Sequence, residues 1–107
     1  MAKRIYISLP ISHYDLDERK AYAKRVESVL SGKYEVVNPF NNGIPDEVDW
    51  RVHMKKDIEL LLTCDAIFMC KEFEKSKGCK LEWDVATTCG MEVFYEDVSL
   101  GHELLGY

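Results

Sequence analysis

With 107 residues, 47 % of them hydrophobic and 31 % charged, the chain has room for one compact core and is too short for two ordinary domains. A net charge of −5, with acids spread along the chain, argues against a nucleic-acid surface, which needs clustered Lys and Arg; the longest apolar runs, such as 66–70, fall far below the roughly 20 residues that span a bilayer. The basic start Met1–Arg4 is not followed by a signal-peptide core before Pro10, and the cysteines at 64, 70, 79 and 89 form no Cys-x-x-Cys pair, so a cytoplasmic protein with reduced, mostly buried thiols and no metal site is expected.

Lys3 to Ser8 alternates Ile5 and Ile7 with Tyr6 and suits a first strand ending at Leu9-Pro10. Asp15 is placed to cap a first helix, with Glu18 three residues on, an apolar stripe of Leu16, Ala23, Val26 and Leu30, and a stop at Ser31-Gly32. Tyr34 to Val37 reads as a second strand, and residues 38–45 as the longest loop. Asp46 is expected to cap a second helix running to about Leu62 with Met54, Ile58 and Leu61 inward. Asp65 to Cys70 makes a third strand, and Ser76 caps a third helix whose apolar face is Leu81, Val85 and Thr88/Cys89, ended by Gly90. Met91 to Tyr95 is a fourth strand, and the tail 96–107 reads either as a last helical turn or as a segment packed on a neighbouring subunit.

Strands alternating with helices imply an α/β protein with a single open parallel sheet, right-handed crossovers, and a cleft at the carboxyl ends of the strands. Several chemistries are then excluded. The segment Ser8 to His13 has no glycine, so it builds neither a dinucleotide fingerprint nor a phosphate-binding loop; no Gly-x-Ser-x-Gly elbow occurs; and Cys70-Lys71 stand where a receiver-type Asp would follow the third strand. What remains is acidic: Asp57, Asp65 and Glu82 fall near strand ends or on flanking helices. A carboxylate pair cleaves a glycosidic bond when one attacks the anomeric carbon and the other handles the leaving-group proton. Taken singly, Asp57 among Lys55, Lys56 and Glu59 reads as a solvated helix face, Asp65 as a strand terminator, and Glu82 as an exposed helical acid.

Tyr6-Ile7-Ser8, Met54-Lys-Lys-Asp57-Ile58, Cys64-Asp65-Ala66-Ile67 and Ser76-x-Gly78-x-x-x-Glu82-x-x-x-Ala86 together resemble the nucleoside 2-deoxyribosyltransferase family and the related 2′-deoxynucleoside 5′-monophosphate N-hydrolases. The resemblance spans nearly the whole chain as one domain, 1–107, and implies a flavodoxin-like or Rossmann-like three-layer sandwich. It implies Glu82 as the nucleophile that forms a glycosyl ester, Asp57 as the acid at the base, and Tyr6 as the hydroxyl that orients Glu82. Ser76, where the base-exchanging transferases tend to carry Asp, points toward the nucleotide hydrolases. Ser76 with the Gly78 backbone then receives a 5′-phosphate, Ser8, Ser12 and Asp65 complete the substrate-binding set, and His13 is a further donor. No cofactor is implied. The partner is a small nucleoside or nucleotide, and the assembly a homodimer or larger.

Two positions depart from the family pattern. Leu9 stands where relatives have glycine, and Asp84 where glycine is common, adding an acid near the nucleophile. They keep open the alternative of a non-catalytic nucleotide-binding or sensing module. A structural partner whose acids are merely solvated is the third reading.

Overall fold

Strand β1, Lys3–Ser8, is built for burial on both sides, as parallel strands covered by helices are. Ile5 and Ile7 point to one face and Tyr6 and Ser8 to the other, and all four are fully buried. Around it run α1 (Leu16–Leu30), β2 (Tyr34–Val37), α2 (Trp50–Leu61), β3 (Ala66–Met69), α3 (Lys77–Thr88) and β4 (Glu92–Tyr95), with short 3-10 turns at Pro39–Asn41 and Phe73–Lys75. This structure is a computed structural model that describes residues 3–96; the expectations for the tail lie beyond them, apart from Glu96.

The sheet is wholly parallel, in the order β2-β1-β3-β4. The first connection runs outward from β1 to β2, the next crosses back to β3, and the strand order therefore reverses between β1 and β3. Loops leaving the carboxyl ends of these two strands diverge and open a crevice. Helix α1 covers the face of Ile5, Ile7, Ala66 and Phe68, while the opposite core joins Tyr6, Ile67 and Met69 to residues of α2 and α3 such as Leu61, Cys79 and Ala86. Three layers result, as expected for a flavodoxin-like α/β fold.

Local signals explain most boundaries. The Asp15 carboxylate accepts from the Glu18 amide at 3.2 Å and starts α1; the Ser76 hydroxyl accepts from the Cys79 amide at 3.2 Å and starts α3. Gly90, at φ +74°, lets the chain leave α3 through the left-handed region. Asp46 is a correction: α2 begins four residues later, behind Asp49, which forms no side-chain cap. Asp46 instead accepts from Lys20 on α1 at 2.7 Å, tying the long loop to the first helix.

The buried face of α3 is also turned from its expected position. Cys79, Glu82 and Ala86 face the core, and Leu81 is 44 % exposed. Two small side chains let the helix lie close to the sheet, and between them the carboxylate finds partners on β1. Gly78 extends this closeness to α2, since a Cβ there would lie 3.2 Å from the Met54 sulfur. At the far edge, Glu96 follows β4, and its buried carboxylate accepts from the Tyr22 hydroxyl and, at 3.0 Å, from the Lys71 amide.

Candidate active site

Glu82 projects from the second turn of α3 onto the carboxyl half of β1 and is 5 % exposed. The Tyr6 hydroxyl donates to Oε2 at 2.7 Å and the Ser8 hydroxyl donates to Oε1, also at 2.7 Å. Alternate residues of one strand thus serve both oxygens of one carboxylate. Burial lifts the Glu82 carboxyl to about 7; the two hydroxyls oppose that rise, and the charge of Asp57 adds to it. Tyr6 stays a neutral donor, because burial first and Glu82 second hold its hydroxyl well above the ordinary tyrosine value.

Asp57 is the second buried acid, 7 % exposed on the inward face of α2, and not part of a solvated helix face. Burial raises its carboxyl, while a hydrogen bond from Asn42 opposes the rise. Asn42 donates to Asp57 Oδ1 at 2.9 Å and accepts the Ile44 amide at 2.8 Å. Gly43 makes that local turn possible, since its φ of +83° is one that L side chains rarely adopt. Neither Asn42 nor His53 was singled out by sequence reasoning. The run Asn41-Asn42-Gly43 signals a turn, but a turn signal carries no information about which distant side chain its amide will reach.

A cavity of about 240 Å³ joins these groups at the crevice. Tyr6, Asp57, Ser76, Gly78, Ser12 and Glu82 all border it, and Ser8 reaches the same centre through Glu82. Leu9 and Glu82 both line the cavity, so the leucine side chain does not abolish it. Two residues singled out stand apart from the cavity: His13, exposed in the loop after β1, does not border it, and neither does Asp65. The case of Asp65 is the clearer. That residue lies just before β3, at the opposite end of the sheet, where its carboxylate accepts from the Arg4 amide at 2.9 Å. A residue at the amino end of a parallel strand cannot reach a crevice at the carboxyl end, so the strand-terminator reading holds for its position. Asp84 is exposed on α3, and the acid whose charge raises Glu82 is Asp57.

Three carboxylates, Asp46, Asp57 and Glu82, border the cavity, and no Lys or Arg does so among the described residues. The rest of the wall is largely apolar or aromatic, including Phe40, Ile44, Val48 and the half-exposed Trp50. Cys79 is no rival nucleophile: burial pushes its thiol up to about 11, which leaves little thiolate near neutrality. No group of three His, Cys, Asp or Glu side chains that could hold a metal ion occurs among the described residues. None of the described helices is long and apolar enough to cross a membrane.

The model of a family described as Domain of unknown function (DUF4406) matches residues 3–95, which include every group of this site. The chain belongs to that family. No curated protein matches it. Among solved structures, a 2-desoxiribosyltransferase from Leishmania mexicana is 24 % identical with a TM-score of 0.69, over 88 % of this chain and 63 % of that one. The likeness establishes a shared fold, and this family member spans less than two thirds of the length of that protein.

Proposed function

We propose that this protein cleaves the N-glycosidic bond of a deoxynucleoside, with Glu82 as nucleophile and Asp57 as acid and then base. The observation that carries this reading is the buried carboxylate pair lining a switch-point crevice, one member gripped by two hydroxyls. Glu82 attacks C1′ of the sugar, the C1′–N bond breaks, and the departing base takes the proton of Asp57. Water, giving its proton to Asp57, then attacks C1′ and releases the sugar and Glu82. If a second base occupies the cleft in place of water, the same ester transfers the sugar to it. The Leishmania protein of the same fold, named a 2-desoxiribosyltransferase, supports sugar chemistry at this site.

The cavity wall favours a neutral nucleoside over a nucleoside 5′-monophosphate. A phosphate would meet three acidic side chains and, among the described residues, no Lys or Arg, and of its donors at the start of α3 the Cys79 amide is already taken by the Ser76 hydroxyl oxygen. Nucleotide hydrolysis, which Ser76 suggested, is thus the second substrate class to test. The proposed setting is the cytoplasm, in keeping with free thiols at Cys64, Cys70, Cys79 and Cys89, and the proposed assembly is a homodimer or larger.

The test is chromatographic. Incubation with each deoxynucleoside and its 5′-monophosphate is expected to release free base, faster from the nucleoside, and a second base added in excess reveals transfer as a new nucleoside. Ligand binding without any free base would replace this reading with that of a sensing module, and neither binding nor release would leave a structural role.

A further inference from the structure

We propose that Asn42 is a positioning residue for Asp57, fixing which carboxyl oxygen carries the proton, and that a neutral His53 holds Asn42 in its working orientation. The proposal deepens the glycosidase reading and rests on it for the role of Asp57.

The hydrogen bonds around Asn42 leave one arrangement of protons. Its side-chain oxygen faces the Ile44 amide at 2.8 Å, so the amide cannot be flipped without setting donor against donor. The two hydrogens of Nδ2 then point to Asp57 Oδ1 at 2.9 Å and His53 Nδ1 at 3.2 Å. On the other side of the imidazole, Nε2 lies 2.9 Å from the carbonyl oxygen of Pro45, a group that only accepts. Nε2 must carry the hydrogen and Nδ1 must present its lone pair. Every donor from Pro45 to Asp57 is matched when His53 is neutral, and a proton on Nδ1 would confront the Asn42 amide.

Asp57 has one oxygen left. With Oδ1 accepting from Asn42, the proton of the neutral acid sits on Oδ2, which makes no hydrogen bond to the described residues and belongs to a side chain bordering the cavity. The titratable groups acting on Asp57 or acted on by it are Glu82 from α3, Tyr6 from β1 and His53 from its own helix. None of them hydrogen-bonds to Asp57. Asn42, reaching in from the loop, is the group that breaks the equivalence of the two oxygens. It is 6 % exposed, so water does not readily take its place.

The experiment follows the Asp57 carboxyl carbon by NMR through a pH titration, its signal assigned by its loss in Asp57→Asn. Asn42→Ala and His53→Phe are compared with the wild type, with circular dichroism confirming the fold. Asn42→Ala is expected to raise the Asp57 midpoint by about 1 unit, because a hydrogen bond to the charged form is lost. His53→Phe moves it in the same direction and by less. In turnover assays Asn42→Ala lowers kcat about tenfold with KM little changed, the mark of an interaction that matters to the reacting state. A folded Asn42→Ala or His53→Phe protein whose Asp57 titrates as in the wild type would overturn the proposal. The titration needs no turnover, so a wild type that releases no base would count against the glycosidase reading alone.

Discussion

Glu82→Gln is expected to lose base release by at least about 10³-fold and, at the same time, to unfold at a higher temperature than the wild type at pH 8. The loss follows from replacing a nucleophile with an amide that cannot form the glycosyl ester. The gain follows from linkage. The carboxyl of Glu82 titrates near its ordinary value of 4.5 in the unfolded chain and at about 7 in the fold. Below pH 4.5 it is protonated in both states and folding carries no penalty. Between 4.5 and about 7 the folded protein keeps a proton that the unfolded chain has released, so stability falls as pH rises. Above about 7 the cost of burying the charge is complete, up to about 3 kcal/mol for a shift of this size, or on the order of 10 °C in Tm for a domain this small. Glutamine never ionises and escapes the cost, with one of the two hydroxyls turning to accept from its amide. Thermal unfolding of both proteins from pH 4 to 9 checks this, and parallel curves for the two would refute the assignment of a raised carboxyl to Glu82.

Base release itself is expected to follow a bell in pH, with its falling limb near 7. Two buried acids side by side lose their protons in two steps that belong to the pair. The last proton leaves at about 7, where Glu82 titrates against a charged Asp57. The reactive form is the other arrangement of the singly protonated pair, in which the proton has passed to Asp57 and both oxygens of Glu82 accept from Tyr6 and Ser8. Activity therefore falls above about 7, when the pair is fully ionised, and again in acid, when Glu82 is protonated too. Asp57→Asn is expected to slow release by about 10² to 10⁴-fold, the usual worth of a general acid. It also removes the charge that lifts Glu82. The remaining activity should rise to a plateau and stay there past pH 7, and a falling limb that survives in Asp57→Asn would mean that another group supplies the proton.

Much of this was legible in the order of residues, and the exceptions share a cause. Caps are local, so Asp15 and Ser76 announced their helices, and alternation is local, so β1 could be read as a strand with Tyr6 and Ser8 on one face. The rotation of α3 was not local. Leu81 looks like a core residue until the hydroxyls on β1 and the small side chains of Cys79 and Ala86 are seen to reward turning Glu82 inward. Periodicity alone hid Asp57, which only the family resemblance picked out: charged neighbours on its helix suggested water, and what surrounds it comes from α3, β1 and the loop after β2. Asp65 shows the converse. Its spacing matched a family pattern, but the direction of a parallel strand put it at the wrong end of the sheet.

The two acids are mounted on supports of different strength. Glu82 is held by β1, a strand paired on both flanks whose amides are protected by β2 and β3. Asp57 takes its orientation from a loop anchored through Asn42 and, at its exposed margin, through Lys20 and Asp46. Local openings release loops long before they release a central strand. Hydrogen exchange at Tyr6 and Ile7 then reports on global unfolding, whereas exchange at Ile44 reports on a smaller excursion that frees the acid and leaves the nucleophile in place. Under the proposed chemistry, such an excursion would give the base a way out of the cleft without disturbing the geometry proposed to attack the sugar.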